Sequence, residues 1–135
     1  MGERAFILAI ALGAGALFLV AYSSYRRRAG AALDRLDVDA LGLELMSGCC
    51  AFVVFTTPTC RPCKAVLKVV SDAVDASPAP TEIVTVDAVD NHELALHCDV
   101  RTVPTTFLIT ASGHVIDRWR TVPHRAEVDA ALQRL

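Results

Sequence analysis

Cys60 and Cys63 stand one helical turn apart, with Arg61 and Pro62 between them. Paired thiols at this C-x-x-C spacing serve two chemistries, a redox dithiol or half of a thiolate metal site. The flanking residues set the pair at the junction of a strand and a helix. Residues 51–55, Ala-Phe-Val-Val-Phe, form the short apolar and β-branched run of a buried strand. Thr56, Thr57, Pro58 and Thr59 interrupt it with the hydroxyls and the proline of a turn or helix cap. From Cys60 the apolar positions Val66, Leu67, Val69, Val70 and Val74 recur at helical spacings. The pattern stops at Ser77-Pro78-Ala79-Pro80, where prolines end a helix.

A cysteine at a helix start faces free N–H groups and the positive end of the helix dipole, both of which favour thiolate. Arg61 and Lys64 add positive charge nearby. Such surroundings lower a thiol from a pKa of about 8.5 into a range of roughly 3.5–7.5. Cys60 therefore reads as the attacking nucleophile and Cys63 as the buried resolving thiol. Pro62 falls in the first helical turn, where its missing N–H is tolerated. A static disulfide or a metal half-site would need neither the helix start nor a second motif further along.

That second motif is Thr102-Val103-Pro104-Thr105. It precedes residues 105–110, a plain strand signal. By itself the proline predicts a trans bond, since only about 5–6% of X–Pro bonds in folded proteins are cis. Taken together, in this order and at this separation, the two motifs resemble the thioredoxin family. The resemblance implies an α/β thioredoxin fold, a central mixed sheet flanked by helices, over residues 36–135. It also implies a cis bond before Pro104 and a Val103 backbone that pairs with an extended substrate, a form of strand addition.

The remaining elements are read from pattern. Residues 36–46 have a helical cast, with Leu36, Ala40, Leu43, Leu45 and Met46 as apolar points. Residues 82–87 alternate as a strand, and residues 91–98 fit a short helix capped by Asp90 or Asn91, with Leu94, Leu96 and Cys98 apolar. Residues 107–110 and 115–119 flank a hairpin turn containing Gly113. Pro123-His124 opens a last amphipathic helix with Val128, Ala131, Leu132 and Leu135 on one face. The expected order is helix, strand, helix, strand, helix, strand, strand, helix, with the family's first edge strand absent or barely formed.

The chain departs from the family pattern at several positions. Thr59 and Arg61 replace the tryptophan and glycine usual in the motif. Val54 stands where the family buries an aspartate, and Ile83 where a lysine accompanies it. Losing both together is coherent, because a lone buried charge is costly. It leaves Cys63 without an evident base.

Ahead of the domain, residues 5–22 are eighteen residues without a charge. As a helix they span roughly 27 Å, close to a bilayer core of about 30 Å. Tyr22, Tyr25 and Arg26-Arg27-Arg28 follow, as at a membrane interface. The expected organisation is an anchor with its basic flank over residues 1–28, a tether over 29–35 and the thioredoxin-like domain over 36–135. A cleaved signal peptide is the competing reading, but it calls for a basic start, and Met1-Gly2-Glu3-Arg4 offers one arginine against one glutamate. The arginines after the span outnumber the positive charge before it, which predicts a single-pass membrane protein with its redox domain on the cytoplasmic face. The extracytoplasmic face is the alternative.

From residue 29 onward, nine Lys and Arg face fourteen Asp and Glu, a balance that argues against nucleic acid as a partner. Five cysteines, an odd number, do not resemble a secreted disulfide framework and suit a reducing compartment. Cys49 and Cys50 are adjacent and should point to opposite faces, at least one of them a small buried hydrophobe. Cys98 is expected to be packed, most of the four histidines solvated, Trp119 a packing residue and Asp87 a turn or cap residue.

The function these observations predict is a thiol–disulfide oxidoreductase that reduces protein disulfides through Cys60 and Cys63. Val103 and Pro104 would bind substrate, and Arg61 and Pro62 would tune the dithiol. Its partners would be protein disulfides, an electron donor such as a thioredoxin reductase, and the membrane through residues 5–22. Exchange chemistry at a dithiol needs no cofactor or metal. The alternatives are an extracytoplasmic oxidase or reductase, and a non-catalytic module binding zinc or copper(I) through the C-x-x-C pair.

Overall fold

A computed structural model describes residues 13–21 and 33–135. The chain divides into two units, Met1–Ala32 and Leu33–Leu135. In the first, residues 13–21 are helical (α1), and Leu17 and Leu19 are exposed. Among the described residues no helix is long and apolar enough to cross a membrane. The rest of the expected span and its basic flank lie outside the described residues.

The second unit runs β1 (Cys50–Thr56), α2 (Arg61–Ala76), β2 (Thr81–Asp87), α3 (His92–His97), β3 (Thr105–Thr110), β4 (Val115–Trp119) and α4 (Arg125–Leu132). The four strands form one mixed sheet in the order β2-β1-β3-β4. β1 is parallel to β2, in register from Cys50 opposite Thr81 to Thr56 opposite Asp87. It is antiparallel to β3, with Phe55 opposite Thr105 and Val54 opposite Thr106. β4 returns antiparallel to β3, placing Trp119 opposite Thr106.

The apolar run in β1 reflects burial on both faces. Cys50, Phe52 and Val54 face one layer with Val66, Val70 and Ala73 of α2, Leu108, and Val128, Ala131 and Leu132 of α4. Ala51, Val53 and Phe55 face the other, with Phe107, Ile109, Val86, Ala95, Cys98 and Val100. On α2 the buried residues Cys63, Val66, Val70 and Ala73 recur at three- and four-residue spacing and make the stripe that meets the sheet. Trp119 packs on Phe52, ring centroids 6.2 Å apart, which is the packing role expected of it.

The expected helix over residues 36–46 is not formed; the segment is turns and extended chain. The Asp37 carboxylate accepts the Asp39 and Ala40 N–H groups and holds one tight turn. Gly42 then takes a φ of 66° and ends it. Leu41, Leu43 and Leu45 pack on the core at alternate positions, an extended period that reads as helical only when Leu36 and Ala40 are included. Met46 is exposed. In α3 the buried residue is Ala95 and Leu96 is exposed, because the helix is short and turns its Leu94–Ala95–Cys98 side to the sheet. Leu135, expected on the buried face of α4, lies beyond the helix end and is exposed.

The hairpin turn forms as expected, with Gly113 at a φ of 82°. Its backbone oxygen accepts the Leu36 N–H, and Arg35 meets His114 in an isolated bridge. A Cβ on Gly113 would lie 2.2 Å from the Leu36 carbonyl oxygen, so only glycine fits.

Candidate active site

The chain leaves β1 at Thr56, turns, and enters α2 at Arg61, with Cys60 as the N-cap in extended conformation. The Cys60 N–H is held by the Thr57 carbonyl. Cys60 and Cys63 are joined by a disulfide, their Cα atoms 5.5 Å apart. The two sulfurs have unequal surroundings. Cys60 is half-buried at the mouth of the helix, whereas Cys63 is buried at 4% exposure on the stripe facing the sheet. Arg61, Pro62 and Lys64 are exposed around the pair, and the first turn of α2 carries no acidic residue. The local field is thus positive on a domain that is acidic as a whole.

The sheet brings the second motif to the same end. Thr105 pairs with Phe55, so Pro104 stands level with the last residue of β1, from which the chain turns into the cysteine motif. The Val103–Pro104 bond is cis, Pro104 is buried and Val103 is half-buried. Val103 shares a groove with Thr57, Val89, His92 and Leu96, the last three exposed. The two halves of the motif are therefore adjacent, and an apolar groove borders them.

Val54, standing where the family has an aspartate, is fully buried, as is Thr106 opposite it. Ile83 is at the sheet surface, opposite Phe52 on the outer strand. Asp87 is a turn residue: its carboxylate accepts the Val89 and Asp90 N–H groups. Asn91 caps α3 by position, and its side-chain amide donates to the Asp87 carbonyl. All four histidines are exposed.

Among the other cysteines, Cys50 and Cys98 are buried and Cys49 is half-buried. Burial pushes both buried thiols above the ordinary range; at Cys98 the nearby Arg118 opposes the effect. Among the described residues, no group of three or more His, Cys, Asp or Glu side chains is placed to hold a metal ion.

One cluster escaped the sequence reading. Asp99, at a φ of 49°, takes Arg101, Arg118 and Arg120 onto its carboxylate. Arg118 also donates to the Asp99 carbonyl and lies over the Phe107 ring, 5.0 Å from its centroid. These contacts fasten the turn ahead of Val103 to β4. The signal available was Asp99 just after a short helix and two arginines flanking Trp119, but nothing in the sequence pairs them.

The family model described as Thioredoxin matches residues 45–134. The chain belongs to the thioredoxin family, whose members are thiol–disulfide oxidoreductases. Solved structures agree on the fold. Thioredoxin-2 of a malaria parasite matches with a TM-score of 0.61 at 16% identity, over 70% of this chain and 91% of its own. Mitochondrial thioredoxin 3 of Saccharomyces cerevisiae matches with a TM-score of 0.55 at 20% identity, over 67% and 81%. Fasciola hepatica thioredoxin matches with a TM-score of 0.54 at 24% identity, over 65% and 82%. No curated protein matches the sequence.

Proposed function

We propose that this protein reduces disulfides in other proteins, with Cys60 as the nucleophile and Cys63 as the resolving thiol. The observation that carries the proposal is the unequal burial of the two sulfurs at the start of α2: one reachable, one enclosed. The Cys60 thiolate attacks a substrate disulfide, forming a mixed disulfide and releasing one substrate thiolate. Cys63 then attacks the Cys60 sulfur, closing the Cys60–Cys63 bond and releasing the second. Two electrons pass from the pair to the substrate, and a dithiol donor such as a thioredoxin reductase restores them. Val103 offers its backbone to the extended substrate, with Pro104 holding the strand beside the motif. Arg61 and Lys64 favour the Cys60 thiolate. We further propose that residues 5–22 anchor the chain, with the domain on the cytoplasmic face.

The test is a pair of substitutions. Cys60→Ser should abolish disulfide reduction. Cys63→Ser should accumulate a mixed disulfide at Cys60, visible on a non-reducing gel and by mass. In the reduced protein, faster alkylation of Cys63 than of Cys60 would reverse the roles.

A further inference from the structure

Thr106 is fully buried in the sheet, and its hydroxyl has no hydrogen-bond partner. A buried hydroxyl without a partner destabilises a fold by about 1–3 kcal/mol, so valine, the same shape without the oxygen, would serve stability better there. The neighbouring Thr105 shows the ordinary solution, donating to the Thr102 carbonyl at 2.7 Å. Thr106 has no such outlet.

Its position suggests the purpose. Thr106 lies opposite Val54 on one side and Trp119 on the other. Directly opposed residues in antiparallel strands share a face. This is the face that packs against α2, since Val54 and Trp119 belong to the layer containing Val66 and Val70. α2 follows β1 and leads into the parallel strand β2, so it descends over the sheet from the end where β1 stops. Cys63, the first buried residue of its stripe, comes one turn before Val66, and so toward the end of the layer where Val54 and Thr106 are paired. Val54 cannot hydrogen-bond. Thr106 can.

We propose that the Thr106 hydroxyl is the positioning group for the Cys63 sulfur once the disulfide opens. This rests on the reading of Cys63 as the resolving thiol. In the mixed disulfide the hydroxyl oxygen accepts the Cys63 S–H hydrogen bond. When that proton leaves to solvent, the hydroxyl turns and donates to the thiolate, which attacks the Cys60 sulfur. The bond from Cys60 to the substrate sulfur breaks, and the substrate leaves as thiolate. Thr106 exchanges no proton itself; it favours the charged sulfur in an otherwise apolar layer. In the closed disulfide there is no S–H or thiolate to bind, and the hydroxyl is left unpaired.

The experiment uses the reduced full-length chain carrying Cys49→Ser, mixed with Ellman's reagent in stopped flow. The first coloured thiolate released reports attack by Cys60, and the second reports resolution by Cys63. Thr106→Val should leave the first phase within about twofold and slow the second by about tenfold, the scale of a hydrogen bond to a charged group. Thr106→Ser should restore the second phase to within about threefold. Thermal unfolding of oxidised Thr106→Val should occur at the same temperature as the parent or higher, so that a weakened fold does not account for the slower second phase. An unchanged second phase in Thr106→Val, a serine variant as slow as the valine one, a lost first phase, or a less stable valine variant would each overturn the proposal. Cys60→Ser in the same assay separates the two ideas: a retained first phase there defeats the proposed function itself.

Discussion

Asp99→Asn tests whether the segment presenting Val103 is held by charge. The substitution keeps size, and asparagine tolerates the left-handed backbone found at this position, a φ of 49°. What it removes is a carboxylate facing three guanidinium groups. Arg101 and Arg120 have side chains 85% and 59% exposed, so each pair contributes only about 0.2–1 kcal/mol in solvent. Arg118 is 17% exposed and sits 3.5 Å from the carboxylate, so its loss weighs more, although its bond to the Asp99 carbonyl survives. The total comes to about 1–2 kcal/mol at neutral pH. For a domain of this size that lowers Tm by about 5–15 °C. The pH dependence is the sharper part. The Arg101 hydrogen bond, chiefly, holds the Asp99 carboxyl below the usual carboxylate range, against burial, with Arg118 and Arg120 adding to it. A carboxyl depressed by folding stabilises fully above its unfolded pKa of about 3.9 and loses that contribution as pH falls through the lower folded value. Thermal melts of parent and variant should therefore differ at about pH 7 and converge toward about pH 2. A gap that persists unchanged in acid, or none at neutral pH, would refute the charge argument.

Gly113→Ala should destabilise by more than the roughly 1–2 kcal/mol of left-handed backbone alone, because the new Cβ meets the Leu36 carbonyl oxygen at 2.2 Å; an unchanged denaturation midpoint would contradict the close approach. In the reduced chain at neutral pH, alkylation should label Cys60 first and reach Cys50 and Cys98 only on unfolding, since both are buried with raised pKa values; early modification of Cys98 would contradict its packing. A C-terminal alkaline phosphatase fusion should be inactive in cells and a cytoplasm-dependent fluorescent fusion bright; the opposite pair of results would put the domain outside.

The residue pattern by itself determined the parts of the fold whose causes are local. The uninterrupted apolar run at residues 51–55, short, β-branched and bounded by turn residues, reads as a strand buried on both faces, and it is β1. The Thr-Pro-Thr turn, the helix start at Cys60 and the prolines after Ser77 bounded α2 to within a residue. The hairpin around Gly113 followed from alternation on either side of a turn. The cysteine pair was legible for the same reason, as both thiols and the helix that polarises them lie in one short segment. The cis bond at Pro104 was legible only through family resemblance.

Tertiary structure decided the rest. Residues 36–46 carry enough apolar positions for either period, and it was the packing of Leu41, Leu43 and Leu45 on the core that selected the extended one. Leu96 and Ala95 exchanged places because α3 is too short for its period to fix a face. The tie from Asp99 to Arg118 joins residues nineteen apart, and it depends on where α3 ends and how β4 registers on β3. Thr106 was legible as a strand residue and nothing more; its unpaired hydroxyl opposite Val54 exists only once β1 and β3 are in register. Periodicity tells a residue which way it faces along its own strand or helix. What it faces is set by packing between segments, and a one-residue slip in register would have given every one of these side chains a different neighbour.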